Sequence, residues 1–304
     1  MLRTDLALEA KEMYHENAGN TDEIDGIETS TYEEEGILVT SVRVMNEKGS
    51  FAIGKPVGNY VTLEMSDFIK YGYAYHNMAT GLLKKELKKL LQGYEKKKIL
   101  VAGLGNRQIT SDALGPWTAD KLIVTGHLAE YAPESLGNLG IVYGIVPGVM
   151  GITGVETADV IKGVCEKVKP DAVIAVDALA SRKTERVATT IQMSDTGINP
   201  GSGIGNHRKE ITEKSLGIPV ISIGVPMVVD ALTLAYDAVD SIGVINKNEI
   251  LEKISEKKQG KNTLFMVTPK ETDKLTGQMA SIISSAINIT FHNIEIDEID
   301  SYIS

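Results

Sequence analysis

Two aspartates in matching settings carry the chemistry that can be read from this chain. Asp112 follows the apolar run Ile99–Leu104 and the glycine-broken stretch Gly103-Leu-Gly-Asn-Arg-Gln108, just ahead of an apolar-periodic segment. Asp177 closes the run Ala172-Val-Ile-Ala-Val176 and precedes Ala178-Leu-Ala-Ser-Arg182. Short, purely apolar runs of this kind are central strands of a parallel sheet, and ligands collect at the carboxyl ends of such strands. Two carboxylates at one cleft can share a proton. One then acts as base toward water and the other as acid toward a leaving group. Taken singly, each aspartate can equally be a helix or turn cap.

Other motifs are weaker or fail. Gly103-Leu-Gly-Asn-Arg-Gln108 misses the dinucleotide fingerprint, because Gln108 stands where the third glycine belongs, and no Walker phosphate loop is present. The glycines predict a sharp turn that lets a substrate backbone pass close to Asp112. Two further glycine-rich stretches, Gly144–Glu156 and Asp195–Asn206, read as binding or lid loops. His207 adjoins the second, but no histidine and carboxylate cluster has metal-ligand spacing.

These residues need elements to hold them. From Ile99 onward, strands alternate with helices. The expected strands are 99–104, 140–146, 172–176, 187–192, 220–223 and 263–267; the helices are 115–128, 154–168, 209–216, 227–244 and 269–287. Such alternation implies right-handed crossovers, hence an α/β fold with a largely parallel central sheet and helices on both faces. Upstream, 36–45, 50–53 and 59–65 read as strands of an N-terminal antiparallel β insertion, followed by a helix over 80–97. Thr4 or Asp5 caps a first helix running to Glu16. The acidic end 294–300 reads as a peripheral strand or tail. The expected organisation is one domain over 1–304, with a β subregion at 36–65 and an α/β core at 99–287.

Composition sets the remaining bounds. The chain has 304 residues and a net charge of −10, which argues against a nucleic-acid-binding surface. The single cysteine, Cys165, excludes an intrachain disulfide and reads as a buried thiol. No run reaches membrane-spanning length and no signal peptide opens the chain, so the expected compartment is the cytoplasm.

Arg3-Thr-Asp-Leu-Ala-Leu-Glu9, Gly103-Leu-Gly-Asn106 with Thr110-Ser-Asp-Ala-Leu-Gly-Pro116, Pro147-Gly-Val-Met-Gly151, Val176-Asp-Ala-Leu-Ala-Ser-Arg182, Ser194-Asp-Thr-Gly197 and Gly201-Ser-Gly-Ile-Gly-Asn206 closely resemble the germination protease family of spore-forming bacteria, in order over nearly the whole chain. The resemblance implies a fold like that of the hydrogenase maturation proteases. It also implies an endopeptidase of the spore core that degrades small acid-soluble spore proteins at germination. The family's two essential aspartates fall on Asp112 and Asp177. In related maturation proteases the matching carboxylates, with a histidine, can hold a metal; no residue of this sequence is assigned as that histidine, which leaves a divalent metal open here. The alternatives are a metal-dependent maturation-type protease using the same carboxylates, and a non-catalytic α/β protein binding a small ligand.

The family is made as a tetrameric zymogen that removes an N-terminal propeptide, and it cuts its substrates after an acid within a Thr-Glu, apolar, Ala, Ser, Glu motif. Thr4-Asp-Leu-Ala-Leu-Glu9 follows that pattern, which predicts self-cleavage between Asp5 and Leu6, with 1–5 a residual propeptide shorter than the family's. An acidic recognition motif calls for basic partners. Arg107, Arg182, Lys183, Arg208 and Lys209, in or beside the cleft loops, are the expected substrate-binding residues.

Overall fold

A computed structural model of the chain describes residues 4–19, 22–94, 97–201, 208–241 and 265–303. Its strands are β1 (Ile27–Glu34), β2 (Ile37–Val44), β3 (Gly58–Glu64), β4 (Ile99–Gly103), β5 (Val142–Ile145), β6 (Ala172–Ser181), β7 (Thr190–Ser194), β8 (Val220–Asp230) and β9 (Met266–Val267). Its helices are α1 (Ala7–Ala18), α2 (Glu47–Ile53), α3 (Phe68–Leu91), α4 (Leu114–Ala119), α5 (Gly126–Tyr131), α6 (Met150–Thr153), α7 (Thr157–Val168), α8 (Glu213–Leu216), α9 (Ala231–Ser241), α10 (Thr272–Phe291) and α11 (Asp300–Ile303).

Among the described residues the strands form one nine-stranded sheet in the order β1-β2-β3-β7-β8-β6-β4-β5, with β9 beside β8. The apolar runs read as central strands are the parallel part: β4, β5, β6 and β8 run the same way. The remainder is antiparallel. β1, β2 and β3 form a meander that joins the main sheet where β3 pairs with β7, and β7 in turn runs antiparallel to β8. The sheet is therefore mixed, with the antiparallel unit continuous with the parallel core.

Side-chain alternation explains the helices on both faces. Ile99 and Val101 of β4 and Ile174 and Val176 of β6 pack with α3, α4 and α10. Their alternates Leu100, Ala102, Val173 and Ala175 pack under α7 on the opposite face. Cys165 sits in that second layer, where burial pushes its thiol up to about 11, as expected of a structural cysteine. Among the described residues no helix is long and apolar enough to cross a membrane.

Several expected elements differ. Residues 50–53 belong to α2, not a strand: Asn46 accepts from the Gly49 N–H at 3.0 Å and Gly54 ends the helix at φ 65°. β1 went unread because its Glu- and Thr-rich edge carries no apolar alternation. The helix expected over 115–128 is split into α4 and α5. Asn288 on α10 intervenes, accepting from the Ile123 N–H and donating to the Lys121 carbonyl, each at 3.0 Å. The strand expected over 220–223 runs on to Asp230, and the helix begins only at Ala231. The expected tail at 294–300 coils into a short 3₁₀ turn and the start of α11. Residues 263–264, 242–244, 202–207 and 1–3, on which other expectations fell, lie outside the described residues.

Candidate active site

The approach of two backbones builds the site before any catalytic group is placed. A Cβ on Gly103 would lie 2.2 Å from the Gly115 carbonyl oxygen, and one on Gly115 would lie 2.3 Å from Leu104 N. These glycines let the end of β4 press against the start of α4. Gly105 has φ +106°, and a Cβ there would lie 2.0 Å from the Asp112 carbonyl oxygen. The glycines expected to clear a path for substrate thus clear one for the backbone that carries Asp112 itself. Gly105→Ala must displace Asp112; the expected outcome is about 10²-fold slower peptide cleavage with a lowered melting temperature. Unchanged rate and melting point would overturn this.

Asp112 closes a 3₁₀ turn, Thr110–Asp112, ahead of α4. It does not cap α4, whose N-terminus has no side-chain cap; its Oδ2 reaches back to accept from the Asn106 N–H at 2.8 Å. Burial pushes its carboxyl up, opposed by that N–H. Asp177 is 5 % exposed and lies within β6, which continues past it to Ser181 because β8 pairs along its length. It stands level with the carboxyl end of β4, whose Gly103 pairs with Val176. Its Oδ1 accepts from the neighbouring Ala178 N–H, at 3.0 Å. Burial first, then the charges of Asp112 and Asp5, hold Asp177 well above the ordinary carboxylate range, against the Ala178 N–H.

The two aspartates line one cleft of about 430 Å³. Both glycine-rich loops reach it: Val149, Met150 and Gly151 from the first, and Asn199, Pro200 and Gly201 from the second. Asp5 lines it as well. The chain at Asp5 lies along β6, with the Asp5 N–H donating to the Ala180 carbonyl at 2.9 Å and the Ala180 N–H donating to Asp5 Oδ2 at 2.8 Å. Neither Thr4 nor Asp5 caps α1. Its N-cap is Leu6, and the Ala7 N–H is satisfied by Gln192 Oε1 at 2.7 Å.

Of the five basic residues expected at the cleft, only Arg208 lines it. The others are held by acids that their sequence neighbourhoods do not reveal. Arg107 forks onto Asp120 at the surface, its Nη2 2.8 Å from Oδ1. Arg182 is 7 % exposed, 2.8 Å from Asp237 and stacked on the Tyr236 ring. Lys183 meets Glu12 at 3.0 Å and Lys209 meets Asp159 at 2.7 Å. Among the described residues no three His, Cys, Asp or Glu side chains converge as a metal site. A metal held by Asp112 and Asp177 would need a further ligand from outside them.

Sequence reasoning missed Lys55 and Gln192, which hold the Asp5 carbonyl, and Glu9 and Arg186, which anchor α1. Lone polar residues in loops and strands give no local signal of such contacts.

The model of the germination protease family matches residues 7–259. A germination protease of Clostridium tetani (strain Massachusetts / E88) is 45% identical, over 100% of this chain and 99% of its own length. That of Caldanaerobacter subterraneus subsp. tengcongensis is 44% identical over 95% of this chain and 93% of its own, and that of Bacillus cytotoxicus 39% over 98% and 95%. Among solved structures, a [NiFe] hydrogenase maturation protease, HycI from Thermococcus kodakarensis KOD1, is similar with a TM-score of 0.34 and 17% identity, over 66% of this chain and 98% of that one.

Proposed function

The chain belongs to the germination protease family, and from that premise we propose that this peptidase hydrolyses small acid-soluble spore proteins, and its own Asp5–Leu6 bond, with water activated between Asp112 and Asp177. The observation that carries the reading is the buried Asp177 carboxyl, raised by burial and by Asp112, at a cleft that Asp5 also lines. The two carboxyls titrate as a unit that holds a shared proton more strongly than an ordinary carboxylate does. Asp177, the more deeply buried, keeps that proton and serves as acid toward the leaving amine. Asp112, steadied by the Asn106 N–H, takes a proton from water. The variants Asp112→Asn and Asp177→Asn test this, and a fully active variant of either kind would overturn it.

Self-cleavage makes Leu6 the new N-terminus, so intact mass should fall by residues 1–5 as purified protein ages under acidic conditions. An intact Met1 end alongside full activity would overturn it. The family resemblance further supports a homotetrameric zymogen in the spore core, which light scattering of the purified chain tests.

Arg208 meets a substrate glutamate in this reading, and its position in the cleft lining supports that role. A charged hydrogen bond of about 1.5–3 kcal/mol makes Arg208→Glu about 10–100-fold worse in kcat/KM on a peptide carrying Glu after the cut. The loss should be far smaller on the matching Gln peptide. Equal losses on both would remove Arg208 from recognition.

A further inference from the structure

We propose that Lys55 and Gln192 form the oxyanion site for hydrolysis of the Asp5–Leu6 bond: both side chains donate to the Asp5 carbonyl oxygen, Lys55 Nζ at 2.9 Å and Gln192 Nε2 at 3.3 Å. This rests on the reading above, in which Asp112 and Asp177 activate the water and this bond is the one cut.

Each donor is fixed from a different element. Lys55 lies between α2 and β3, and its ammonium also donates to the Thr4 carbonyl at 3.1 Å. Among the described residues it has no carboxylate at ion-pair distance, so its charge is spent on the two carbonyls flanking Asp5. Burial pushes its pKa down, opposed by Asp5 and Glu9. A partly desolvated cation short of a counter-ion gains most when negative charge develops on the oxygen it touches. Gln192 comes from β7, and its orientation is set by its other end, because Oε1 accepts from the Ala7 N–H at 2.7 Å. The amide nitrogen then has to face Asp5.

The bond also sits between two spaces. Asp5 and Leu179 line the cleft with Asp112 and Asp177, and both line a second cavity of about 350 Å³ that contains Lys55 and Gln192. Water adds to the Asp5 carbonyl carbon from the cleft side and gives one proton to the basic carboxylate. The C=O electron pair moves onto the oxygen held by Lys55 and Gln192. As the electrons return, the C–N bond breaks and the acidic carboxyl protonates the Leu6 nitrogen. The products are a carboxylate at Asp5 and a free amine at Leu6.

The test follows the first-order loss of residues 1–5 from the purified full chain by intact mass, over pH 5 to about 9.5, with melting temperature as the folding control. Gln192→Glu is the discriminating variant, since it keeps an acceptor for the Ala7 N–H and removes the donor to Asp5. It and Lys55→Met should each slow the step by about 10²–10³-fold. Lys55→Arg should restore much of the rate, because arginine keeps a cation on the Asp5 carbonyl. If wild-type cleavage is stopped by Asp177→Asn while folded Gln192→Glu and Lys55→Met cleave at the wild-type rate, the oxyanion site is overturned and the aspartate pair stands. Absence of Asp5–Leu6 cleavage in wild type overturns the oxyanion site and the self-cleavage reading together, while cleavage of an added peptide still tests the aspartate pair.

Discussion

Asp177→Asn should lower peptide cleavage and self-cleavage by at least about 10³-fold and raise the melting temperature at pH 7. Loss of activity alone would follow from many changes at a cleft; the gain in stability is the specific part. Asp177 is buried, accepts its neighbour's N–H, and faces the charges of Asp112 and Asp5. Its folded pKa is raised above its unfolded value, so the stabilising state is the protonated one. That contribution is full below the ordinary carboxylate pKa of about 4 and is lost as pH rises through the folded value. At pH 7 the wild type bears the cost of keeping a proton there or of burying a charge. Asparagine bears neither. The stability difference should therefore shrink as pH falls toward 4, and thermal melts across that range check it. A variant that melts below wild type at pH 7 would refute the buried-proton account, whatever its activity. Asp112→Asn should lose as much activity with a smaller gain, because Asp112 is less buried and asparagine can still accept from the Asn106 N–H.

The fold and the aspartate pair were legible for one reason. β4 and β6 are buried on both faces, so their sequences are unbroken apolar runs, and the residues that end the pattern stand out. Where burial is one-sided or local signals compete, the reading failed. β1 is an exposed edge strand written in Thr and Glu, and α2 hides a helix in an apolar run that only Asn46 and Gly54 bracket. The basic residues show a different limit. Nearness in sequence to cleft loops placed Arg107, Arg182, Lys183 and Lys209 at the site, but Asp120, Asp237, Glu12 and Asp159 claim them. An ion pair is a property of two elements, and one stretch of sequence shows only half of it. The Asp5–Leu6 segment was found from its likeness to a cleavage motif; its lodging beside β6 depends on Gln192, far away in the chain.

Arg186→Met should cost about 3–5 kcal/mol, the largest loss of stability expected from a single change outside the hydrophobic core. Arg186 is 6 % exposed and binds three carboxylates from two elements. Its Nε meets Glu64 of β3 at 2.7 Å, its two terminal nitrogens fork onto Glu12 of α1 at 2.7 and 2.8 Å, and Glu9 of α1 lies 3.5 Å away. Glu9 is fully buried and also accepts from the Arg182 and Lys183 N–H groups at 2.5 and 2.9 Å. Methionine fills the space but leaves three carboxylates near one another, with only Lys183 on Glu12 to offset them. Burial opposes the charge on Glu12, yet Arg186 and then Lys183 outweigh it and hold its carboxyl below the usual range. That stability is present above the unfolded carboxylate pKa and is lost as pH falls through the folded one. The penalty of Arg186→Met should accordingly be greatest at neutral pH and shrink on acidification, as the crowded carboxylates take up protons. Denaturant melts at pH 7 and pH 4.5 read this directly, and a pH-independent penalty would show that packing, not charge, is what Arg186 supplies. The same cluster anchors α1, whose N-cap Leu6 directly follows Asp5 in the wall of the aspartate cleft. In the folded fraction of Arg186→Met, self-cleavage should therefore slow while cleavage of an added peptide is retained, a separation that loss of global stability alone cannot produce.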